Sequence, residues 1–351
     1  MTTGTLPTTM RAVLLTGHGD YDVLDIRDDV ARPDPAPGNV LVRVGAAGVN
    51  NTDLNTRVGW YSKGDNDADD AGWGGSALEL PRIQGADICG EVVALGANVR
   101  SDLVGARILV EPCLREFAGQ PLSPIWYIGS ECDGGFADYV EIPELHAHVV
   151  TSELTDIELA SFPCSYSTAE NMLTRAGLSE NDTVLVTGAS GGVGSAAVQL
   201  AKARGAQVIA VTSASKADAI RQIGADQIIL RDQVRDLPKN SVDVVIDLVA
   251  GPDWPALLDA MRRFGRYAVS GANACPIVEL DVRTLYLKDL SFFGCTELDP
   301  EVFPRLVSLI ETGAVRPLVA ETYPLQDIVK AQKSFAEKQY IGKIVLDVKT
   351  T

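Results

Sequence analysis

The chain has 351 residues, 47 acidic against 30 basic, for a formal net charge of −17. Nucleic acid and anionic membranes would both repel such a protein, so neither is expected as a partner. With 46% hydrophobic and 22% charged residues the composition is globular, and the length exceeds what one hydrophobic core ordinarily serves, so two folded domains are expected.

The chain opens on MTTGTLPTTMRAVLLTG, which lacks the basic residues and long apolar run of an export signal. No later run approaches the roughly 20 consecutive apolar residues of a membrane helix. Up to about residue 155, short β-rich runs alternate with Gly and Pro: 10–16, 39–49, 87–96, 106–112 and 136–143. They predict a compact, mostly β domain. One irregular stretch, 62–82, interrupts it and carries Asp65, Asp67, Asp69 and Asp70. A calcium loop beginning at Asp65 would need Gly where Asp70 stands and Glu where Ser76 stands, so a solvated acidic loop is expected instead.

From residue 182 the rhythm changes. Almost wholly apolar strands alternate with helical stretches as far as GRYAVSG, 265–271, which predicts a parallel sheet covered by helices on both faces. After 297 come one helix, 301–312, and the run GKIVLDV, read as a return to the first domain. The expected division is therefore 1–156 with 298–351, and 157–297. Six cysteines, at 89, 113, 132, 164, 275 and 295, form no CxxC pair. They read as free thiols in a reducing compartment, and the cytoplasm is the expected location.

The strongest local signal is DTVLVTGASGGVGSAAVQLAKARGA, 182–206, where a strand enters a glycine-rich turn and a helix begins directly after it. Gly188 allows the tight exit, while Gly191 and Gly192 let backbone amides approach a pyrophosphate. Gly194 permits close packing, and Ala189 and Val193 complete the turn. The strand and helix context makes this a dinucleotide site rather than a chance glycine run, although a turn without a ligand would read alike. At the end of the next strand an NAD site places Asp or Glu for the ribose 2′-hydroxyl. Here Thr212, Ser213, Ser215 and Lys216 stand instead, with Arg231 after the following strand. Hydroxyls and cations suit a 2′-phosphate, so NADP(H) is expected, unless Lys216 and Arg231 are ordinary surface charges.

The runs GVNNTDLNTRVGWY (48–61), GADICGEVVALG (85–96), GGFADYVEIP (134–143), VDVVIDLVAG (242–251) and GKIVL (342–346), with the cofactor turn, resemble the medium-chain dehydrogenase/reductase superfamily over nearly the whole chain. The resemblance implies an α/β protein: a GroES-like, mostly β catalytic domain built from both ends of the chain, and a Rossmann-type doubly wound parallel-sheet domain between. Zinc members of the superfamily carry Cys in GVCxxD, His in GHE and a later Cys or Asp. This chain has Asn50 and Ala86 at the first two places, Asp87 for the adjacent Glu, and Cys164 near the third. No metal is expected, and Cys164 reads as a buried apolar thiol.

What remains is similar to the zinc-independent quinone oxidoreductase branch, whose motif matches Gly48, Val49, Asn50, Asp53, Arg57, Gly59 and Tyr61. That resemblance implies hydride delivery from NADPH to a small-molecule quinone or α,β-unsaturated carbonyl. Without a metal, donors must stabilise the charge developing on the substrate oxygen. Asn50, Thr52 and Tyr61 are the candidates, with Asn50 alternatively capping a turn or orienting the ribose, and Tyr61 alternatively packing. The resemblance also implies that Thr168, Val249, Ala250, Ser270, Gly271, Phe293, Gly342 and Lys343 line the cofactor; the alternative is that each is structural, the glycines for backbone geometry and Phe292 and Phe293 as core. Phe292, Phe293 and Gly294 are expected on an edge strand that makes the dimer contact, in a homodimer or homotetramer. The loop 62–82, with Trp60, Tyr61 and Trp73, is expected to cover the active-site cleft. His18, His146 and His148 accompany no nucleophile, so a hydrolase triad is unsupported, and the last two read as incidental rather than as a metal clasp. Two other functions stay open: an alcohol or aldehyde dehydrogenase with an altered metal site at Asp87 and Cys164, and a non-catalytic NADPH sensor.

Overall fold

The computed structural model describes residues 6–62, 72 and 77–349. Asp65, Asp67, Asp69, Asp70 and Trp73, and with them the proposed cover, lie outside the described residues. The chain divides into two compact units, 1–164 with 317–339 and 343–351, and 165–316 with 340–342.

In the first unit the strand Asn39–Val49 carries the architecture. Only Arg43 along it is exposed, because the strand is covered on both faces. It pairs antiparallel with Asp87–Leu95, with Tyr139–Pro143 and with Lys343–Asp347, within a seven-stranded sheet. Two of these registers matter for function: Gly48 lies opposite Asp87, and Val49 opposite Ile344. They bring Asn50, Asp87 and Lys343 to one end of the sheet although they are far apart in sequence. A side chain at Gly48 would meet the Asp87 carboxylate at 2.6 Å and Ala160 O at 2.8 Å, so glycine is obligatory there. A three-stranded sheet (Thr9–Leu15, Leu24–Ala31, Arg82–Ile83) and the hairpin Cys113–Phe117 with Gln120–Tyr127 complete the β-rich unit.

The second unit is a six-stranded, all-parallel sheet. Its spatial order is Gln227–Leu230, Gln207–Thr212, Thr183–Val186, Val242–Asp247, Met261–Val269, Ser291–Gly294. The order reverses between Thr183–Val186 and Val242–Asp247, the topological switch point where ligands bind in such sheets. Leu185, Val245, Trp254, Leu257, Met261 and Tyr267 form the core on one face.

The helix Val302–Glu311, expected in the first domain, belongs to the second unit. Its apolar face, Val302, Phe303, Leu306, Val307 and Ile310, is buried, and Arg305 reaches buried Glu170 at 3.2 Å. Both divisions consequently fall later along the chain than the composition suggests. None of the six cysteines forms a disulfide. Among the described residues no helix is long and apolar enough to cross a membrane.

Candidate active site

In the second unit the glycine-rich turn has local, steric causes. Gly188 has a φ of 58°, in the left-handed region that favours glycine. A Cβ at Gly194 would lie 2.2 Å from Gly188 O and 2.8 Å from the Ala189 Cα, so the turn folds back on the helix only without a side chain there. Gly191 caps the helix Gly192–Ala203, whose first hydrogen bond is Ser195 N to Gly191 O at 2.9 Å. The amides of Gly192, Val193 and Gly194 therefore lack the helical acceptor that later residues have, and this is the geometry that receives a phosphate.

Three loops at the carboxyl ends of the central strands are tied together by Asp247, which is fully buried. Its Oδ1 accepts from Thr187 Oγ1 at 2.5 Å, Val249 N at 2.9 Å and Ala250 N at 3.2 Å. Its Oδ2 accepts from Tyr267 OH at 2.7 Å, which in turn accepts from Trp254 Nε1 at 2.9 Å. Ala250 is held at a φ of 52° by these bonds. Ser270 N donates to Asp247 O at 3.3 Å, and a side chain at Gly271 would meet Leu248 O at 2.9 Å. Val249, Ala250, Ser270 and Gly271 thus stand together beside the glycine-rich turn. Nothing in the sequence singles out Asp247 as their tie.

At the neighbouring strand end, Thr212 Oγ1 is buried without a hydrogen-bond partner. Ser213 and Ser215 share a hydrogen bond at 3.2 Å. Lys216 donates to Tyr340 O at 2.7 Å, and burial, with the charge of Arg231, lowers its pKa. The two cations are therefore neighbours. Thr168 is half-buried on the helix Pro163–Arg175. Phe293 sits on the edge strand Ser291–Gly294, opposite Ala268, while the ring of Phe292 packs on Trp254 and Tyr267 at 5.8 and 5.3 Å.

The first unit holds a different kind of site. Asn50 precedes the helix Asn51–Arg57, and its N–H donates to Asp53 Oδ2 at 2.7 Å, so the third helical residue reaches back to the cap. The Asn50 amide Nδ2 donates to Asp87 Oδ2 at 2.8 Å, and its Oδ1 accepts from Lys343 Nζ at 2.5 Å. The side-chain amide is thus committed to Asp87 and Lys343 inside the protein, and makes no hydrogen bond to the helix cap. Lys343, expected at the cofactor, lies in the same cluster. It is 2% exposed, and its ammonium lies 2.6 Å from Asp87 Oδ2 and 3.0 Å from Val49 O. Asp87 Oδ1 accepts from Cys164 N at 2.5 Å, and Cys164 Sγ lies 2.9 Å from Tyr127 OH. Burial, and then the neighbouring Asp87, push the Cys164 thiol up to about 12, so it stays protonated as expected of an apolar thiol.

Thr52 and Tyr61 meet in the same region. The Tyr61 phenol is hydrogen-bonded to Thr52 and Asn55, and burial raises its pKa, so it remains a proton donor. Beneath them burial raises the Asp53 carboxyl to about 7, against the opposing pull of the Asn50 and Gly85 amides and of Lys343.

His146 and His148 are not incidental. Both contact the buried Glu111 carboxylate at 3.2 Å, and Arg115 braces the same carboxylate at 2.5 and 3.0 Å. Arg115 N donates to His146 Nε2 at 3.0 Å, so Nδ1 is the nitrogen that carries hydrogen toward Glu111. The period-2 spacing of the two histidines was the available signal. Among the described residues no group of His, Cys, Asp and Glu is arranged to hold a metal.

Two family models match the chain: "Alcohol dehydrogenase GroES-like domain" over 36–152 and "Zinc-binding dehydrogenase" over 192–312. The acryloyl-coenzyme A reductase of Metallosphaera sedula is 30% identical over 96% of this chain and 99% of its own. The chain belongs to the medium-chain dehydrogenase/reductase superfamily. It is an oxidoreductase of that superfamily, whose members bind a nicotinamide cofactor. Human quinone oxidoreductase is 26% identical over 96% of this chain and 97% of its own. Among solved structures, a Sinorhizobium meliloti protein solved as a candidate alcohol dehydrogenase superposes with a TM-score of 0.89 at 44% identity, covering 98% of both chains. A cobalt- and zinc-bound alcohol dehydrogenase from Pyrobaculum aerophilum superposes with a TM-score of 0.84 at 29% identity, over 97% of this chain and 99% of its own.

Zinc chemistry is implied by one of the matching superfamily models, and the residues present do not fit it. An amide and a methyl group stand at Asn50 and Ala86, so Cys164 is the one residue of the ligand type left at the three positions, and the nearby carboxylate of Asp87 already holds an ammonium.

Proposed function

We propose that the protein is an NADPH-dependent reductase that transfers hydride to a quinone or an α,β-unsaturated carbonyl without a catalytic metal. The observation that carries this reading is the Tyr61–Thr52 hydroxyl pair beside a cluster with no metal-ligand set. A delocalised enolate or hydroquinone anion needs less stabilisation than the concentrated charge of an alkoxide, so a phenol donor braced by a hydroxyl can serve without a metal. When bound, the dihydronicotinamide supplies the hydride. The glycine-rich turn binds its pyrophosphate through backbone amides, and Thr212, with its unpartnered hydroxyl, completes its hydrogen bonds on the ribose. Lys216, Arg231, Ser213 and Ser215 accept the 2′-phosphate, a role a carboxylate there would oppose. Tyr61 donates its hydrogen bond to the substrate oxygen and Thr52 holds the phenol in place.

The relatives named as acryloyl-coenzyme A reductase and quinone oxidoreductase both support conjugated acceptors. A titration with NADPH and NADH, followed by a panel of quinones, enones and enals, tests the proposal. Preference for NADPH with turnover of a conjugated acceptor is expected; equal affinity, or oxidation of cofactor only by plain aldehydes, would overturn it. One observation favours a second reading: relatives named as alcohol dehydrogenases also match over nearly the whole chain. Metal analysis separates the two, because stoichiometric zinc in the purified protein would favour an alcohol dehydrogenase.

The free thiols support a reducing compartment, the cytoplasm. A second copy of the chain is the macromolecular partner we propose, docked along the edge strand Ser291–Gly294. Tyr286 and Leu287 before that strand are 59% and 63% exposed, apolar surface a dimer would cover. A monomeric mass by light scattering would refute it.

A further inference from the structure

We infer that Lys343 is a positioning residue of the buried cluster around Asn50 and Asp87, and not a contact to the cofactor. The inference rests on the reading above for what the cluster catalyses, but the position of the lysine rests on geometry alone.

The sheet register decides where Lys343 points. Ile344 lies opposite Val49 on the strand Asn39–Val49, so the preceding residue falls beside Asn50 at the strand end. An ammonium has three hydrogens and no acceptor. Here they go to Val49 O at 3.0 Å, Asn50 Oδ1 at 2.5 Å and Asp87 Oδ2 at 2.6 Å. None remains for a phosphate oxygen, and the side chain is 2% exposed.

Two of the three partners of this ammonium border positions the metal branch uses. Asn50 stands for its cysteine, Asp87 follows the place of its histidine, and the Cys164 amide is bonded to Asp87. The Asp87 carboxylate is thus already paired with a cation inside the protein. Removing the lysine alone would leave Asp87 buried and uncompensated, which costs more than the pair is worth.

The lysine also reaches the donors through covalent structure. Its bond to Oδ1 sets which way the Asn50 amide faces, and Asn50 begins the helix Asn51–Arg57 that carries Thr52. Thr52 in turn holds the Tyr61 phenol. A fixed charge at 343 therefore sets the geometry of both hydroxyls without touching substrate.

The test compares wild type, Lys343→Met and the double variant Asp87→Asn/Lys343→Met, reading NADPH affinity by fluorescence, kcat with the best acceptor, and Tm. Lys343→Met is expected to lower kcat by about tenfold or more, the scale of losing one aligned donor. NADPH Kd should stay within about twofold. The double variant, free of the buried charge, should regain Tm but not kcat. Each wild-type and variant protein is also titrated with cobalt(II), whose thiolate charge-transfer band would report metal at Cys164. Wild type is expected to show none. A tenfold loss of NADPH affinity with kcat unchanged would make Lys343 a cofactor contact, and recovery of kcat together with Tm would make its role purely structural; either overturns the inference. So would a stoichiometric cobalt band in wild type. If wild type reduces no acceptor at all, the function proposed above falls, while the affinity and cobalt measurements still decide the position of Lys343.

Discussion

The two units solve opposite problems with opposite materials. The second unit receives an anion with backbone: glycines, helix-terminal amides and one buried carboxylate that ties the loops. The first unit is assembled from side-chain charge out of water: Asp87, Lys343, Asp53 and, apart from them, Glu111. The backbone site depends on shape, so it fails when an atom is added. The side-chain site depends on compensation, so it fails when an atom is removed.

That contrast can be broken by substitution. The largest effect is expected from Tyr61→Phe, which deletes the proposed donor: kcat should fall by roughly two to three orders of magnitude while NADPH affinity holds. An unchanged kcat would remove the phenol from the chemistry. Gly194→Val should do the reverse, weakening NADPH by about two orders of magnitude, because its Cβ would collide with Gly188 O at 2.2 Å and the turn must open. Fluorescence titration and the Tm of the same sample separate lost binding from lost fold. Next is the double variant Lys216→Ala/Arg231→Ala, expected to weaken NADPH about tenfold and to leave NADH alone. If both cofactors weaken equally, the two cations are ordinary surface charge.

The smallest effects are the pH profiles of two buried carboxyls, whose signs oppose. Asp53 has its folded pKa raised to about 7, so the folded state holds a proton that the unfolded chain releases near 4. Its stabilising contribution is present at low pH and is lost as pH rises through about 7. The stability advantage of wild type over Asp53→Asn should accordingly shrink between pH 5 and pH 8 in denaturant titrations. Burial alone would push Glu111 up, yet hydrogen bonds from His146, His148 and Arg115 pull it down to about 2. Its contribution is present above the ordinary carboxyl range and lost as pH falls toward 2, so Glu111→Gln should flatten the acid limb of wild-type unfolding. A variant with the same acid limb would show that the cluster carries no such linkage.

The fold and the phosphate turn were both legible along the chain. Gly188 through Gly194 lie within one strand–turn–helix, and their requirement is a matter of a few bonds' reach. The strand alternation likewise announced a parallel sheet. The second domain boundary was not legible, because the helix Val302–Glu311 has an apolar face that either unit could bury, and its partners, such as Glu170 beside Arg305, lie far earlier in sequence. Asp247 was passed over because a lone aspartate ending an apolar strand has no pattern until Thr187 and Tyr267 are beside it.

The sequence by itself showed the resemblance to the superfamily through its motifs, and it showed the alternation of strands and helices and the glycine-rich turn, which follow from periodicity and local sterics. It also showed what had gone from the metal positions. What occupies their place was decided only by tertiary structure. Asn50, Asp87, Cys164 and Lys343 come from four separated segments; two β registers bring Asn50, Asp87 and Lys343 to one strand end, and the Cys164 amide meets Asp87 there. Charge compensation acts through space, and a buried ammonium at 343 has meaning only once the carboxylate of Asp87 is known to lie against it.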